Sequence, residues 1–281
     1  MGRGEKHSAS RAKGASGFES HFEELFQDRW PSLKESLRRD PAYTALERGL
    51  RKPYYLDRAS LIPARALPVE GAREIVDLCA APGGKTIELA RRSPPGALLR
   101  ANDRSRARLR RLRRVLEDHL PPDLLDRVET SGHDAALWGS HRPESADAVL
   151  CDVPCSSERH VLSSPTHLEQ WSESRITRLS KQAIGILASA FDTVKTGGVL
   201  VYATCALSPA ENDRVVHRLI ERRGARAVLE TPSPEELEQL CSGILPIEAL
   251  EATEHGYQIL PDRADGAGPI YFSRLRKADQ L

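Results

Sequence analysis

From Pro68 onward the chain alternates strand-like and helix-like segments, and that alternation leaves few architectures open. EIVDLCA reads as a strand, GGKTIELARR as a helix, ALLRAND as a strand, and SRARLRRLRRVLEDHL as a helix that stops before Pro121 and Pro122. RVETSGHD is a weaker strand and ADAVLCDVP a strong one. SESRITRLSKQAIGILASAFDTVK is a long helix ended by Gly197 and Gly198, followed by the strand VLVYATCAL and the helix PAENDRVVHRLIERRG. YQILPD and GPIYFSRLRK bring the candidate strands to seven and are expected to form an antiparallel edge. This α/β order predicts a mostly parallel seven-stranded sheet with helices on both faces and ligands at the carboxyl ends of the strands.

Ahead of Pro68 the pattern differs. Residues 1–17 are Gly, Ser, Ala and basic residues without periodicity, so a flexible basic tail is expected there. Phe18, Phe22, Leu25, Phe26, Leu33 and Leu37 then recur at helical spacing, broken at Pro31 and Pro41. Residues 18–68 are therefore expected to form a small helical extension, too short to fold alone, on a main domain of residues 69–281.

Composition excludes several classes. With 40% hydrophobic and 29% charged residues the chain is neither disordered nor membrane-spanning. No apolar run approaches the roughly 20 residues of a bilayer span. The N-terminal residues lack the apolar core of a secretion signal, so a cytoplasmic protein, not membrane-bound and monomeric, is expected. Five irregularly placed cysteines argue against a disulfide framework and leave thiols for chemistry. A net charge of +1 excludes binding nucleic acid through bulk charge alone. Charge is nevertheless segregated: Asp103 is the only acid between Arg100 and Arg114, a stretch with eight arginines, whereas Glu230 to Glu251 has no Lys or Arg. The arginines suit either a phosphate backbone or the solvated side of a surface helix.

DLCAAPGGKT falls where the first main-domain strand turns into its helix. Gly83 and Gly84 allow a tight turn, and the helix start offers unpaired amides. Gly84, Lys85 and Thr86 fit the end of the phosphate-gripping pattern G-x-x-x-x-G-K-[ST], but Cys79 stands where its first glycine belongs. A nucleoside-triphosphate hydrolase is thus one reading. Asp103, ending the second strand, favours the other, because an acid there accepts hydrogen bonds from both hydroxyls of a ribose. That placement suits S-adenosylmethionine. Lys85 is open to contact with substrate or to capping the turn.

Two cysteines lie just past neighbouring strong strands: Cys155 in CDVPCSS and Cys205 in ATCALSPAEN. Adjacent strands run about 4.8 Å apart, so both thiols and Asp152 can converge on one cleft. A cytosine ring fits these groups. A thiolate adding at carbon 6 makes carbon 5 enamine-like and able to accept a methyl group, and a carboxylate facing ring nitrogen 3 stabilises the protonated adduct, a job for Asp152. Ser208, Pro209 and Glu211 read as a capping box, which predicts a helix N-terminus beside Cys205 that favours its thiolate. Cys79, Cys151 and Cys241 read as small buried hydrophobes, and buried cysteines at strand ends usually are. Cys151 and Cys155 are wrongly spaced for a zinc knuckle, so no metal is expected.

DLCAAPGGKT, AND, DVPCSS and YATC followed by ENDRVV, in this order, resemble the Sun-type, RsmB-like RNA cytosine-5 methyltransferases. The resemblance covers about Ala59 to Val216 and extends more weakly to GPIYFSRLRK, while DVPCSSERH and GPIYF are similar to the member that modifies mitochondrial small-subunit ribosomal RNA. It implies a Rossmann-like class I methyltransferase with S-adenosylmethionine as cofactor and RNA, chiefly ribosomal, as partner. It further implies that Cys79, Ala80, Ala81, Pro82, Gly83, Gly84 and Lys85 wrap the cofactor. Asp103 would hold the ribose, Asp134 and Asp152 would line the adenine and methionine sides, and Arg108 would lie close by. Cys205 matches the family's nucleophile and Cys155 the second thiol, which assists release of the methylated base. With no room for an added RNA-binding domain, target recognition falls to residues 18–68, the basic helix or a helper protein. A non-catalytic RNA-binding assembly factor is the further alternative. A protein glutamine methyltransferase is disfavoured, because Asp152-Val153-Pro154-Cys155 departs from its Asn-Pro-Pro pattern.

Overall fold

The computed structural model describes residues 13–279. Helices α1 (Gly14–Phe26) and α2 (Trp30–Arg38) open the chain, followed by a hairpin of β1 (Tyr43–Leu46) and β2 (Tyr54–Asp57), then α3 (Leu61–Ala66). Two expectations need correction here. Residues 1–12 of the expected tail lie outside the described residues, but from Gly14 the chain is already helical, its first amide donating to the Trp171 carbonyl at 2.9 Å. The expected helical extension also contains the hairpin: past Pro41 the aromatic and β-branched run YTAL pairs with YYLD across a turn containing Gly49, whose φ is 77°.

The main domain runs β3 (Glu74–Asp77), α4 (Gly84–Arg92), β4 (Leu98–Asn102), α5 (Arg106–His119), α6 (Pro122–Leu125), β5 (Val128–Ser131), α7 (Trp138–His141) and β6 (Ala146–Asp152). Then come α8 (Glu158–Leu162), α9 (Pro165–Glu169), α10 (Glu173–Thr193), β7 (Val194–Thr204), α11 (Asp213–Arg223), β8 (Ala227–Leu229), α12 (Pro234–Cys241), β9 (Leu250–Ala252), β10 (Tyr257–Ile259) and β11 (Ile270–Lys277). The strand order is β5-β4-β3-β6-β7-β11-β10-β9, with β8 also paired to β11. β5, β4, β3, β6 and β7 are parallel; the rest are antiparallel. The sheet has nine strands rather than seven because the three-residue strands β8 and β9 carry no alternation long enough to read. β11 lies inside the sheet, between β7 and β10, rather than at the expected edge.

Period-two alternation sorts the parallel strands between two layers. Ile75, Ala148, Leu150, Val199 and Val201 face one core with α3, α4 and α5, while Val76, Val149, Cys151, Leu200 and Tyr202 face the other with α10 and α11. A third cluster joins Phe18, Phe22, Trp30, Leu33 and Leu37 to Val161, Trp171, Ile176 and Leu207. The N-terminal helices therefore brace the segments that follow β6 and β7. α10 ends at Thr193, not at Gly197 and Gly198, because the buried Lys277 ammonium donates to the Phe191 and Val194 carbonyls and the chain enters β7 at once. Strand order reverses direction between β3 and β6, opening a crevice at their carboxyl ends.

Candidate active site

One side of the crevice is built by β3 and β4. Asn102 donates to the Leu78 and His133 carbonyls, both at 3.0 Å, and accepts from the Ser131 hydroxyl, so three strand ends share one rigid floor. Asp103 follows, 4% exposed. Its Oδ1 accepts the Ser105 amide at 2.9 Å, whereas the buried Oδ2 has no hydrogen-bond partner; the Arg108 guanidinium stands 3.4 Å away. Arg108 also donates to the Ala81 carbonyl at 2.6 Å. Asp134 pairs with Arg104 at 2.9 Å and accepts the Ala136 amide. Leu78, Cys79, Asp103, Arg108, Asp134 and Ile186 line a cleft of about 380 Å³ here. A buried acceptor left open at the end of β4 fits a ribose hydroxyl, and the cleft's apolar sides suit an adenine ring.

Both glycines of the turn are packed closely against protein. Gly83 has φ 121°, and a Cβ there would lie 3.0 Å from Val115 and 3.1 Å from Leu112 of α5. A Cβ on Gly84 would lie 2.8 Å from the Tyr54 ring. The absence of a Cβ at each admits these protein neighbours, and Gly83 is not among the lining residues of either cleft. Ala80 and Gly84 line a small recess beside Asp77 and Lys85. Lys85 does not cap the turn. Its ammonium donates to Asp152 at 2.8 Å and to the Ser60 hydroxyl at 2.7 Å, which removes it from the phosphate-gripping role that the hydrolase reading requires. Burial alone would lower the Lys85 pKa, but Asp152 and the nearby Cys205 and Asp77 raise it instead.

The other side is built by β6 and β7, whose parallel pairing puts Asp152 opposite Ala203. Their following loops bring Cys155 Sγ and Cys205 Sγ to 3.0 Å. Both sulfurs line a larger cleft of about 940 Å³ with Ala81, Pro82, Lys85 and Asp152. Arg108 and Pro154 border both clefts. Asp152, expected on the cofactor side as well, lines the sulfur side.

The expected capping box after Cys205 does not form. Residues 209–212 are turns, α11 begins at Asp213, and the Glu211 carboxyl is taken by Ser156 across 55 residues of sequence. The two sulfurs differ for another reason. Cys155 and Cys205 share a hydrogen bond, and the Ser157 hydroxyl adds a 3.5 Å contact to Cys205; these hold the Cys205 pKa below the usual thiol value against its burial. Cys155 is pushed up by the same hydrogen bond, by burial and by the neighbouring Glu211 and Glu158. Cys205 is thus the sulfur disposed to ionise. Sequence reasoning missed Ser60, Ser157 and Glu158. For Ser157 the signal is absent, because its left-handed φ of 56° at a non-glycine residue is visible only in the folded backbone. Cys151 and Cys241 are buried among apolar side chains as expected, whereas Cys79 lines the Asp103 cleft, its thiol pushed up by burial. Elsewhere, His217, Glu254 and His255 cluster outside both clefts. His217 Nδ1 and His255 Nε2 lie 3.2 Å apart, within hydrogen-bond distance, with the two rings stacked at a centroid separation of 5.3 Å.

Doubly wound topology, an open acid at the end of the second parallel strand and a neighbouring cleft define the class: Rossmann-like methyltransferases, whose cofactor is S-adenosylmethionine. Residues 64–276 match the family model described as 16S rRNA methyltransferase RsmB/F. The chain is 32% identical over 261 residues to the mouse (Mus musculus) mitochondrial tRNA (cytosine(34)-C(5))-methyltransferase, a match covering 88% of this chain and 71% of that one. It is 33% identical over 236 residues to the 5-cytosine rRNA methyltransferase NSUN4 of Bos taurus, covering 81% of this chain and 60% of that one. It therefore belongs to the RsmB/F family. The crystal structure of NSun6 from Pyrococcus horikoshii with SFG superposes with a TM-score of 0.61 at 25% identity, covering 82% of this chain and 53% of that one. A methyltransferase homologue from Pyrococcus horikoshii shares the fold, with a TM-score of 0.70 at 18% identity over 92% of this chain and 94% of that one. Among the described residues no helix is long and apolar enough to cross a membrane.

Proposed function

We propose that the chain transfers a methyl group from S-adenosylmethionine to carbon 5 of a cytosine in RNA, with ribosomal RNA as the substrate class. The observation that carries this reading is the pair of sulfurs 3.0 Å apart in a cleft that also holds Asp152 and abuts the Asp103 cleft. The cofactor supplies an electrophilic methyl group. Asp103 would hold the cofactor, with the open Oδ2 accepting from the ribose, and Arg108 would form the border between cofactor and base.

On the sulfur side the Cys205 thiolate forms a bond to carbon 6 of the base, and the electron pair displaced onto the ring reaches carbon 5. Ring nitrogen 3 takes up a proton from solvent as the adduct forms, and its N–H donates to the Asp152 carboxylate, whose orientation is held by the Lys85 ammonium, itself bonded to Ser60. After methylation water takes the carbon 5 proton, the C–H pair re-forms the carbon 5–carbon 6 double bond, the Cys205–carbon 6 bond breaks with its electrons returning to sulfur, and ring nitrogen 3 gives its proton back to solvent. Cys155, the protonated thiol beside that sulfur, donates to the departing thiolate and eases its release. The base must leave its stack to reach this depth. Arg38 and Arg39 line the same cleft with Tyr43, which is 63% exposed, a combination suited to phosphates and to stacking on a neighbouring base.

Methyl-labelled S-adenosylmethionine and transcripts of ribosomal and transfer RNA test this directly. The label is expected in 5-methylcytidine of the ribosomal transcript. Label confined to transfer RNA would reassign the substrate, and label in another nucleoside would overturn the reading.

A further inference from the structure

Behind the two sulfurs lies a buried polar group that methyl transfer does not consume. Ser156, Glu158 and Glu211 are 1%, 0% and 1% exposed. The Ser156 hydroxyl is in hydrogen-bond contact with both Glu158 Oε1 and Glu211 Oε2. A hydroxyl has one proton and serves one ionised carboxylate; the second carboxyl must bring its own proton and donate to Ser156 Oγ. The outer oxygens are taken as well. Glu211 Oε1 accepts the Ser156 amide at 2.9 Å, and Glu158 Oε2 accepts the Leu207 amide at 2.8 Å. Ser156 and Glu158 follow Cys155, whereas Leu207 and Glu211 follow Cys205, so these bonds lash one cysteine loop to the other.

We propose that Glu158, Ser156 and Glu211 form a clamp that shares a single proton between two buried carboxyls and fixes Cys155 against Cys205. They are positioning residues. The clamp itself follows from these hydrogen bonds, and only its consequence for methyl transfer rests on the function proposed above. Arg175 of α10 faces both carboxyls, Tyr202 of β7 donates to the Glu211 carbonyl at 2.6 Å, and Cys155 and Cys205 complete the surrounding ionisable groups. Burial, then the nearby Glu158, pushes Glu211 up to about 8. A carboxyl raised in this way stabilises the fold fully below its unfolded pKa of about 4.3 and loses that contribution as pH rises through about 8.

Each single amide substitution can satisfy the same bonds. In Glu211→Gln or Glu158→Gln the side-chain oxygen keeps its backbone amide, the nitrogen donates to Ser156, and Ser156 donates to the remaining carboxylate. In the double variant two amides donate to Ser156, whose own proton then has no acceptor.

Calorimetric unfolding of the full chain at pH 7, in buffers of different ionisation enthalpy, counts the protons released. The wild type should release about one proton more than either single variant. Asp77, also buried and pushed up to about 7, contributes equally to all of them. Both single variants should methylate within roughly threefold of wild type at pH 7 and stay active above pH 8, where the wild type declines; the double variant should fall by roughly tenfold or more. Equal proton release by wild type and both single variants would overturn the clamp. A one-proton difference with no cytosine methylation by the wild type would uphold the clamp and remove the reading of function.

Discussion

The two sides of the crevice treat buried carboxyl groups in opposite ways. On the Asp103 side acceptors are left open: Asp103 Oδ2 and Asp77 Oδ1 are buried without hydrogen-bond partners, although Arg108 stands 3.4 Å from the former. On the cysteine side Ser156, Glu158 and Glu211 are mutually paired, and Thr204 and Asn212 bond at 2.6 Å just beyond them. An unpaired buried acceptor costs about 1–3 kcal/mol, recovered when a donor arrives. On the function proposed above, the first side would be a receptor completed by its ligand, whereas the second is a mount completed by the protein itself.

Substitutions that touch one side alone test this division. Cys205→Ala should lower methyl transfer by roughly 10³-fold or more while leaving cofactor affinity intact, and Cys155→Ala should instead let a covalent RNA adduct accumulate on gels. The reverse pattern would exchange the roles of the two sulfurs. Asp103→Ala should weaken S-adenosylmethionine binding, measured by calorimetry, by about 10- to 100-fold, because a charge-assisted acceptor is lost. The alkylation rate of Cys205 should stay unchanged; a matching loss there would mean that the two sides are one coupled unit.

The smallest expected effect comes from Ser157→Gly. Relief of left-handed strain and the greater freedom of an unfolded glycine oppose each other, so stability should change by less than about 1 kcal/mol. Loss of the hydroxyl raises the Cys205 thiol pKa. The thiolate fraction at neutral pH then falls, and the midpoint of iodoacetamide alkylation against pH moves upward.

This contrast also explains which parts of the molecule were legible in the sequence. Asp103, the Gly83–Gly84 turn and the parallel strand order are local or periodic features, and each appears where the pattern predicts. The convergence of Cys155 and Cys205 followed from two strong strands being neighbours. What the sequence concealed is long-range. Glu211 looked like the closing residue of a local capping box, but its carboxyl finds Ser156, 55 residues away, and the helix starts two residues later. Lys85 resembled a phosphate ligand until Asp152 and Ser60, 67 and 25 residues away, claimed its ammonium. The YTAL and YYLD strands are each four residues long, too short for their alternation to outweigh the helical spacing before them.

Trapping with RNA that carries 5-azacytidine, followed by peptide mass spectrometry, tests the central claim most directly. After protease and nuclease digestion, the modified pyrimidine should be found on the peptide containing Cys205 and absent from the one containing Cys155. Attachment at Cys155, or the absence of any adduct on a protein that methylates cytosine, would contradict the account.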